Sequence, residues 1–321
     1  MIRTRDLTKH FRVGKETVEA VRGVDIDVAE GELVALLGPN GAGKSTTLRM
    51  LTTLLEPTSG TAVVAGRDVR AEPARVRRRI GFVGQGHGAG EDQRAGEELY
   101  TQGLLYGLGR ATARARTAEL LDVLELSGAA DREVTRLSGG QRRRLDIAMG
   151  LIHRPPLLFL DEPSTGLDPH SRANLWEHIA RLREKSGTTI VLTTHYLEEA
   201  DGAAGRVLVI DHGRVIADGT ADELKAGVSG DLVSFTVADG GSAATGAEIA
   251  GRLPAADGVE AVSGREPGVR LRVERGDAVL PELLRALDAS GVAPTTVRVQ
   301  RPTLDDVFLA LTGRSLREEN P

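Results

Sequence analysis

The chain has 321 residues, 41 Lys plus Arg against 46 Asp plus Glu, a formal charge of −5 and no cysteine. That length exceeds one ordinary domain and suits two, since domains mostly run about 100–200 residues. The lack of cysteine excludes disulfide scaffolds, thiolate zinc sites, iron–sulfur clusters and cysteine nucleophiles, and the acidic balance gives no electrostatic reason to expect nucleic acid as a partner.

The first residues, Met1 to Asp6, carry arginines with no apolar run behind them, so no secretory signal is expected. The longest apolar stretches, Leu33–Leu37 and Leu157–Leu160, fall far short of the ~20 residues that span a bilayer. A cytosolic chain is expected. Up to about residue 228, strand-like runs at Leu33–Leu37, Ile80–Val83, Leu157–Leu160, Ile190–Thr194 and Val207–Ile210 alternate with helical patterns, which predicts a largely parallel sheet covered by helices. From about 92 to 150 the pattern is helical only, Ala113–Leu126 included, and reads as an inserted helical subdomain. A glycine-containing stretch, Ala226 to Gly230, reads as a linker. Beyond it come strand Leu232–Val237, helix Ala243–Leu253, strands Val259–Ser263 and Val269–Val273, helix Ala278–Leu287, strand Thr296–Val299 and a last helix near Leu304–Leu311. This βαββαβ order predicts a ferredoxin-like α+β module. The expected domains are 1–228 and 229–321.

Three motifs carry chemistry. Gly38-Pro39-Asn40-Gly41-Ala42-Gly43-Lys44-Ser45-Thr46 follows a strand and opens a helix, as a phosphate-binding P-loop requires. Its glycines let main-chain N–H groups curl round an anion, and the helix start adds free donors and a positive dipole end. Lys44 then reaches the β- and γ-phosphates, Ser45 ligates Mg²⁺, and Thr46 adds a donor to the α-phosphate. Leu157 to Leu160 runs into Asp161 and Glu162, an apolar strand ending in two carboxylates. Asp161 would hold Mg²⁺ through water, while Glu162 orients or deprotonates an attacking water. Leu137-Ser138-Gly139-Gly140-Gln141 opens a second donor-rich helix, with Ser138 placed to cap it. A single nucleotide cannot readily use both helix starts.

Together these residues resemble the ATP-binding subunit of ATP-binding-cassette (ABC) transporters, over residues 1–225. The resemblance implies that Ser138, Gly139, Gly140 and Gln141 are the family's signature motif, completing the ATP site of a second copy across a head-to-tail dimer. It implies that Gln85 is the Q-loop glutamine that senses Mg²⁺ and the γ-phosphate, that Ser164 to Asp168 form the D-loop at the dimer interface, and that His195 is the switch histidine on the γ-phosphate. Phe11 best matches the aromatic that stacks on adenine, with His10 as its rival. Trp176, between Leu175 and Ile179, reads as core packing. The runs Arg77–Arg79 and Arg142–Arg144 read as solvated helix faces, the second with a possible contact to phosphate or the other copy.

Within the family the chain is most similar to single-cassette drug exporters of the daunorubicin-resistance type. Gly139 to Asp146 and the tail Pro302 to Gly313 carry that resemblance. Leu137 and Gln141 follow the general family form, and Gly86-His87-Gly88 is unlike the usual Q-loop neighbourhood. The implied function is an ATPase, with ATP and Mg²⁺, that powers export of a small molecule through a separate membrane permease. It would sit in the cytoplasm on the inner face of the membrane and bind the permease through the Q-loop and the helical insert. The alternative, a soluble ABC ATPase acting on nucleic acid or ribosomes, usually has two cassettes or a long coiled coil. Neither is evident here.

Overall fold

The structure, a computed structural model, describes residues 1–228, 230–253, 256–262 and 267–316. Ser229 of the expected linker, Ser263 of an expected strand and residues 317–321 lie outside the described residues. The chain divides into two compact units, Met1–Ala221 and the residues from Asp222 onward.

The first unit opens with a hairpin, β1 (Ile2–Val13) and β2 (Glu16–Val24), followed by the short β3 (Asp27–Val28). Next come β4 (Leu33–Leu37) and α1 (Lys44–Leu51), then β5 (Ser59–Val64) and β6 (Arg67–Asp68). β1, β2, β3, β5 and β6 form a five-stranded antiparallel sheet. The sequence reading lacked this sheet, and the reason is local. Register shifts between Leu7 and Thr8 and between Lys9 and His10 break the period-two alternation of β1, so no apolar face is legible.

After α2 (Pro73–Arg77) and β7 (Ile80–Val83) the chain leaves the sheet for α3 (Ala95–Leu105), α4 (Arg110–Val123) and α5 (Gly139–Leu151). α4 ends sooner than expected because Glu125 adopts a left-handed φ of 52°. The chain returns through β8 (Leu157–Asp161), α6 (Pro169–Ser186), β9 (Thr189–Thr194), α7 (Leu197–Ala203), β10 (Arg206–Asp211) and β11 (Arg214–Gly219). These give a central sheet of order β11-β10-β4-β9-β8-β7, parallel except for β11. β4, β8 and β9 are buried at every position, as strands covered on both faces must be. Leu7, Val24, Leu36, Leu48, Val64, Phe159 and Ile210 belong to one continuous core that draws on both sheets and α1.

Past α8 (Ala221–Ala226), the second unit runs β12 (Asp231–Thr236), α9 (Gly240–Gly251), β13 (Ala256–Val262), β14 (Gly268–Val273), α10 (Gly276–Ala289), β15 (Thr296–Gln300) and α11 (Leu304–Thr312). Its sheet has the order β13-β14-β12-β15 with every pair antiparallel, the ferredoxin-like arrangement. α9 starts three residues before the expected Ala243 because the Asp239 carboxylate caps it, accepting from the Ser242 N–H at 2.8 Å. Val233, Phe235, Leu271, Leu283 and Leu287 make a separate core. Among the described residues no helix is long and apolar enough to cross a membrane.

Phe159 has no exposed surface. Phe159→Ala is expected to destabilise the first unit by about 3–5 kcal/mol, measured as a lower urea midpoint at unchanged slope; a shift worth under ~1 kcal/mol would contradict its place in the core.

Candidate nucleotide-binding site

The loop from Gly38 to Gly43 joins β4 to α1. Two of its glycines are required by close approach. A Cβ on Gly38 would overlap the Ile210 carbonyl, and one on Gly43, where φ is 102°, would overlap the Ala20 carbonyl. Lys44 is folded back over the loop, its Nζ donating to the carbonyls of Gly38 at 2.6 Å and Pro39 at 2.8 Å. Burial pushes the Lys44 pKa down, with Glu162 and Asp161 opposing.

Parallel pairing sets Leu37 opposite Thr194 and Asp161 opposite Thr193, so the carboxyl ends of β4, β9 and β8 meet beside the loop. There Asp161 Oδ1 accepts from Ser45 Oγ at 2.8 Å and from Thr193 Oγ1 at 2.7 Å. Thr193 Oγ1 in turn accepts from the Glu162 N–H at 2.9 Å. Glu162 has a left-handed φ of 44°, a conformation that costs a non-glycine residue about 1–3 kcal/mol and tends to mark functional sites. Its Oε2 accepts from Thr165 Oγ1 at 3.1 Å and lies 3.5 Å from His195 Nδ1. That nitrogen is buried without a well-aligned hydrogen bond, so the two groups meet as a long polar contact. The imidazole beside it holds the Glu162 carboxyl below its usual pKa; burial opposes, and Lys44 and Thr165 add to the lowering.

Asn40, Gly41, Gly43, Lys44, Ser45, Thr46, Gln85 and Glu162 share a cavity of about 180 Å³, joined by Ala20 and Ala42. Gly38 forms the base of the loop, Asp161 reaches the site through Ser45, and His195 through Glu162. The remaining expected residues do not line it. Phe11 is exposed on β1 opposite Val18, with Lys9 Nζ 5.3 Å from its ring centre. Asp168 caps α6, accepting from the Ser171 N–H at 3.0 Å. Ser138 and Gln141 close a capping box on α5, Gln141 N–H to Ser138 Oγ at 3.2 Å and Ser138 N–H to Gln141 Oε1 at 3.0 Å.

Residues 21–165 match the ABC transporter family, and residues 219–312 match the C-terminal domain of DrrA1-3-like ATP-binding proteins. The daunorubicin resistance ATP-binding protein DrrA2 of Streptomyces coeruleorubidus is 46% identical over 94% of this chain and 92% of its own. The chain belongs to the ABC transporter family as a DrrA-like ATP-binding protein. The linearmycin resistance ATP-binding protein LnrL of Bacillus subtilis is 35% identical over 99% of this chain and 100% of its own. An ATP-binding cassette solved as a dimer in a post-hydrolysis state, bound to ADP and Pi, is 29% identical, with a TM-score of 0.63 over 68% of this chain and 98% of its own. This ABC protein is thus an ATPase whose hydrolysis of ATP drives transport.

Several residues of the ABC site escaped the sequence reading. Thr193 bridges Asp161 and Glu162, and its only sequence signal is a hydroxyl near the end of an apolar strand. Glu199, buried on α7, accepts from Ser164 Oγ and from Thr194 Oγ1 at 2.7 Å, tying the segment after Glu162 to the end of β9, just before His195. Asp146 on α5 accepts from the Gly88 N–H at 2.9 Å and stands 3.1 Å from His87 Nδ1. Arg77 to Arg79 are exposed as expected, but Arg142–Arg144 are not a solvated face. Arg142 donates to the carbonyls of Val134 at 2.9 Å and Thr135 at 2.6 Å, Arg144 to Asn174 Oδ1, and Arg143 is buried on main-chain carbonyls. Helical periodicity places these side chains but does not reveal the oxygens that receive them. Trp176 is half-buried beside Leu175 and Ile179, in line with packing.

Thr193→Val keeps the shape but strands the Glu162 N–H. It is expected to cost about 1–3 kcal/mol of stability and to lower ATP turnover at saturating ATP; unchanged melting and turnover would show that the bridge is dispensable.

Proposed function

We propose that this ABC ATPase powers export of a small, drug-like molecule through a separate membrane permease, and that two copies close head to tail on two ATP molecules. The observation that carries the reading is a half-built site. Its cavity of about 180 Å³ lies below the roughly 300–1,000 Å³ of pockets that enclose a ligand. The second anion-receptive helix start, at Ser138, does not line it. A second copy, offering Ser138 to Gln141 and Asp168 across the interface, supplies the missing wall.

In this reading the P-loop N–H groups and the start of α1 receive the phosphates, Lys44 exchanges its two carbonyl acceptors for β- and γ-phosphate oxygens, and Thr46 adds a donor at the α-phosphate. Ser45 Oγ and Asp161 Oδ1 are hard oxygen donors already 2.8 Å apart, a pairing that suits Mg²⁺, with the Gln85 side chain at the same cavity. Bound there, Mg²⁺ would neutralise charge on the β- and γ-phosphate oxygens. Glu162 orients a water and takes its proton as the water oxygen attacks the γ-phosphorus and the bond to ADP breaks. Its depressed pKa keeps it ionised for that task. His195 contacts the γ-phosphate, and Phe11 stacks on adenine from the hairpin.

The resistance proteins among its relatives and the DrrA-like C-terminal domain support export and a drug-like cargo. A second cavity of about 220 Å³, lined in part by Phe82, Gly86, Gln102, Tyr106, Asp146 and Met149, supports docking of the permease between the Q-loop and the helical segment. In this reading the ATPase lies on the cytoplasmic face of the membrane. Closure drives the permease because its two states favour open and closed ATPases differently.

Lys44→Ala is expected to lower kcat/KM for ATP by on the order of 10²-fold or more, and normal turnover would contradict the phosphate role. Glu162→Gln should bind ATP, hydrolyse it very slowly and run as a dimer in size-exclusion chromatography with ATP and Mg²⁺. A monomer that still turns over would remove Glu162 as the base. Ser138→Arg should inactivate the opposite copy's site, so its mixture with Lys44→Ala should regain one working site per mixed dimer; no turnover above that of either variant alone would refute the head-to-tail arrangement.

A further inference from the structure

Arg143 lies in the second turn of α5, five residues beyond Ser138, and its side chain is almost wholly removed from solvent. Its acceptors belong to two separate segments. Nη1 donates to the Gly84 carbonyl at 2.6 Å, just after β7 and next to Gln85. Nε donates to the Pro163 carbonyl at 2.7 Å, and Nη2 to the carbonyls of Asp161 at 3.1 Å and Glu162 at 3.4 Å. The guanidinium therefore encloses the turn in which Glu162 holds its left-handed φ of 44°. Such a backbone persists only where its surroundings over-determine it, and here one rigid, planar fork satisfies three successive carbonyls of that turn. Asp146, less than one turn further along α5, holds the other end of the same loop through the Gly88 N–H.

α5 thus has a start and a side that face different ways. Its capped start carries Ser138, outside this copy's cavity, while its inner face is bonded to the segments that carry Gln85 and Glu162, inside it. Both belong to one continuous helix of 13 residues.

We propose that Arg143 is a positioning residue that couples the two ATP sites of the dimer, passing the position of Ser138, which serves the partner copy's nucleotide, to Gln85 and Glu162, which serve its own. The inference rests on the head-to-tail reading above. Lysine cannot replace the fork, because one ammonium on a flexible stem reaches a single cluster of carbonyls and leaves the other segment free.

The test uses the full chain and Arg143→Lys, which keeps charge and most of the volume. The expected result is a melting temperature within a few degrees of wild type, affinity for a fluorescent ATP analogue within about threefold, kcat at least tenfold lower, and a Hill coefficient for ATP that falls from above one to one. Wild-type kcat with an unchanged Hill coefficient overturns the coupling, as does a wild-type Hill coefficient of one. A joint fall in melting temperature and affinity reduces Arg143 to a structural residue and also overturns it. Should the variant fail to fold, hydrogen exchange on Glu162→Gln during an ATP and Mg²⁺ titration decides. One shared midpoint for protection of residues 84–88, 139–146 and 161–165 supports the coupling, and separate midpoints overturn it. If Glu162→Gln does not dimerise with ATP, the head-to-tail reading itself has failed; if it dimerises while Arg143→Lys behaves as wild type, only the coupling has.

Discussion

The nucleotide site depends on the parallel register of β4, β9 and β8. Pairing Leu37 with Thr194 and Asp161 with Thr193 brings the carboxyl ends of three fully buried strands to one edge, where the chain must turn out of the sheet. Each exit then carries a different group: the glycine-rich loop after β4, the carboxylates at β8, the histidine after β9. A slip of one residue in any strand would turn the polar residue at its end to the other face of the sheet, away from the others.

Polar groups at this edge are held by sharing. Asp161 is almost fully buried, and its carboxylate receives two hydroxyl donors, while Thr193 passes a further bond to the Glu162 main chain. Glu199 follows the same logic with Ser164 and Thr194. A buried carboxylate without such donors would be neutralised or expelled. Lys44 instead rests on two carbonyls of its own loop.

The helical segment bears on that edge, whereas the second unit is built on its own. α5 contributes from its side, where Arg143 holds main-chain carbonyls of the segments around Gly84 and Glu162, while the capping box at Ser138 leaves the helix start pre-ordered. The second unit has its own core around Phe235, Leu271 and Leu283 and its own antiparallel sheet, and it matches the DrrA-like C-terminal domain. Its sheet order follows from two crossing helices over one sheet face, a pattern that the alternation of elements already carries.

Local chemistry determined much of this from sequence alone. Continuous apolar runs give the central strands, the glycine spacing from 38 to 43 admits only a loop that main-chain donors can line, and Ser138 three residues before Gln141 writes a helix cap. The βαββαβ order of the second unit was equally legible. The antiparallel sheet was not, because bulges erase the alternation of β1 and its polar residues show no face until a partner strand covers one. Thr193, Glu199, Asp146 and Arg143 were not legible either, since each acts on groups at least five and mostly more than eighteen residues away in the chain. Periodicity says where along an element a side chain points, whereas which carbonyl or carboxylate waits there is set only once sheets and helices have packed. Hydrogen-bond partners distant in sequence are therefore decided by the tertiary structure alone.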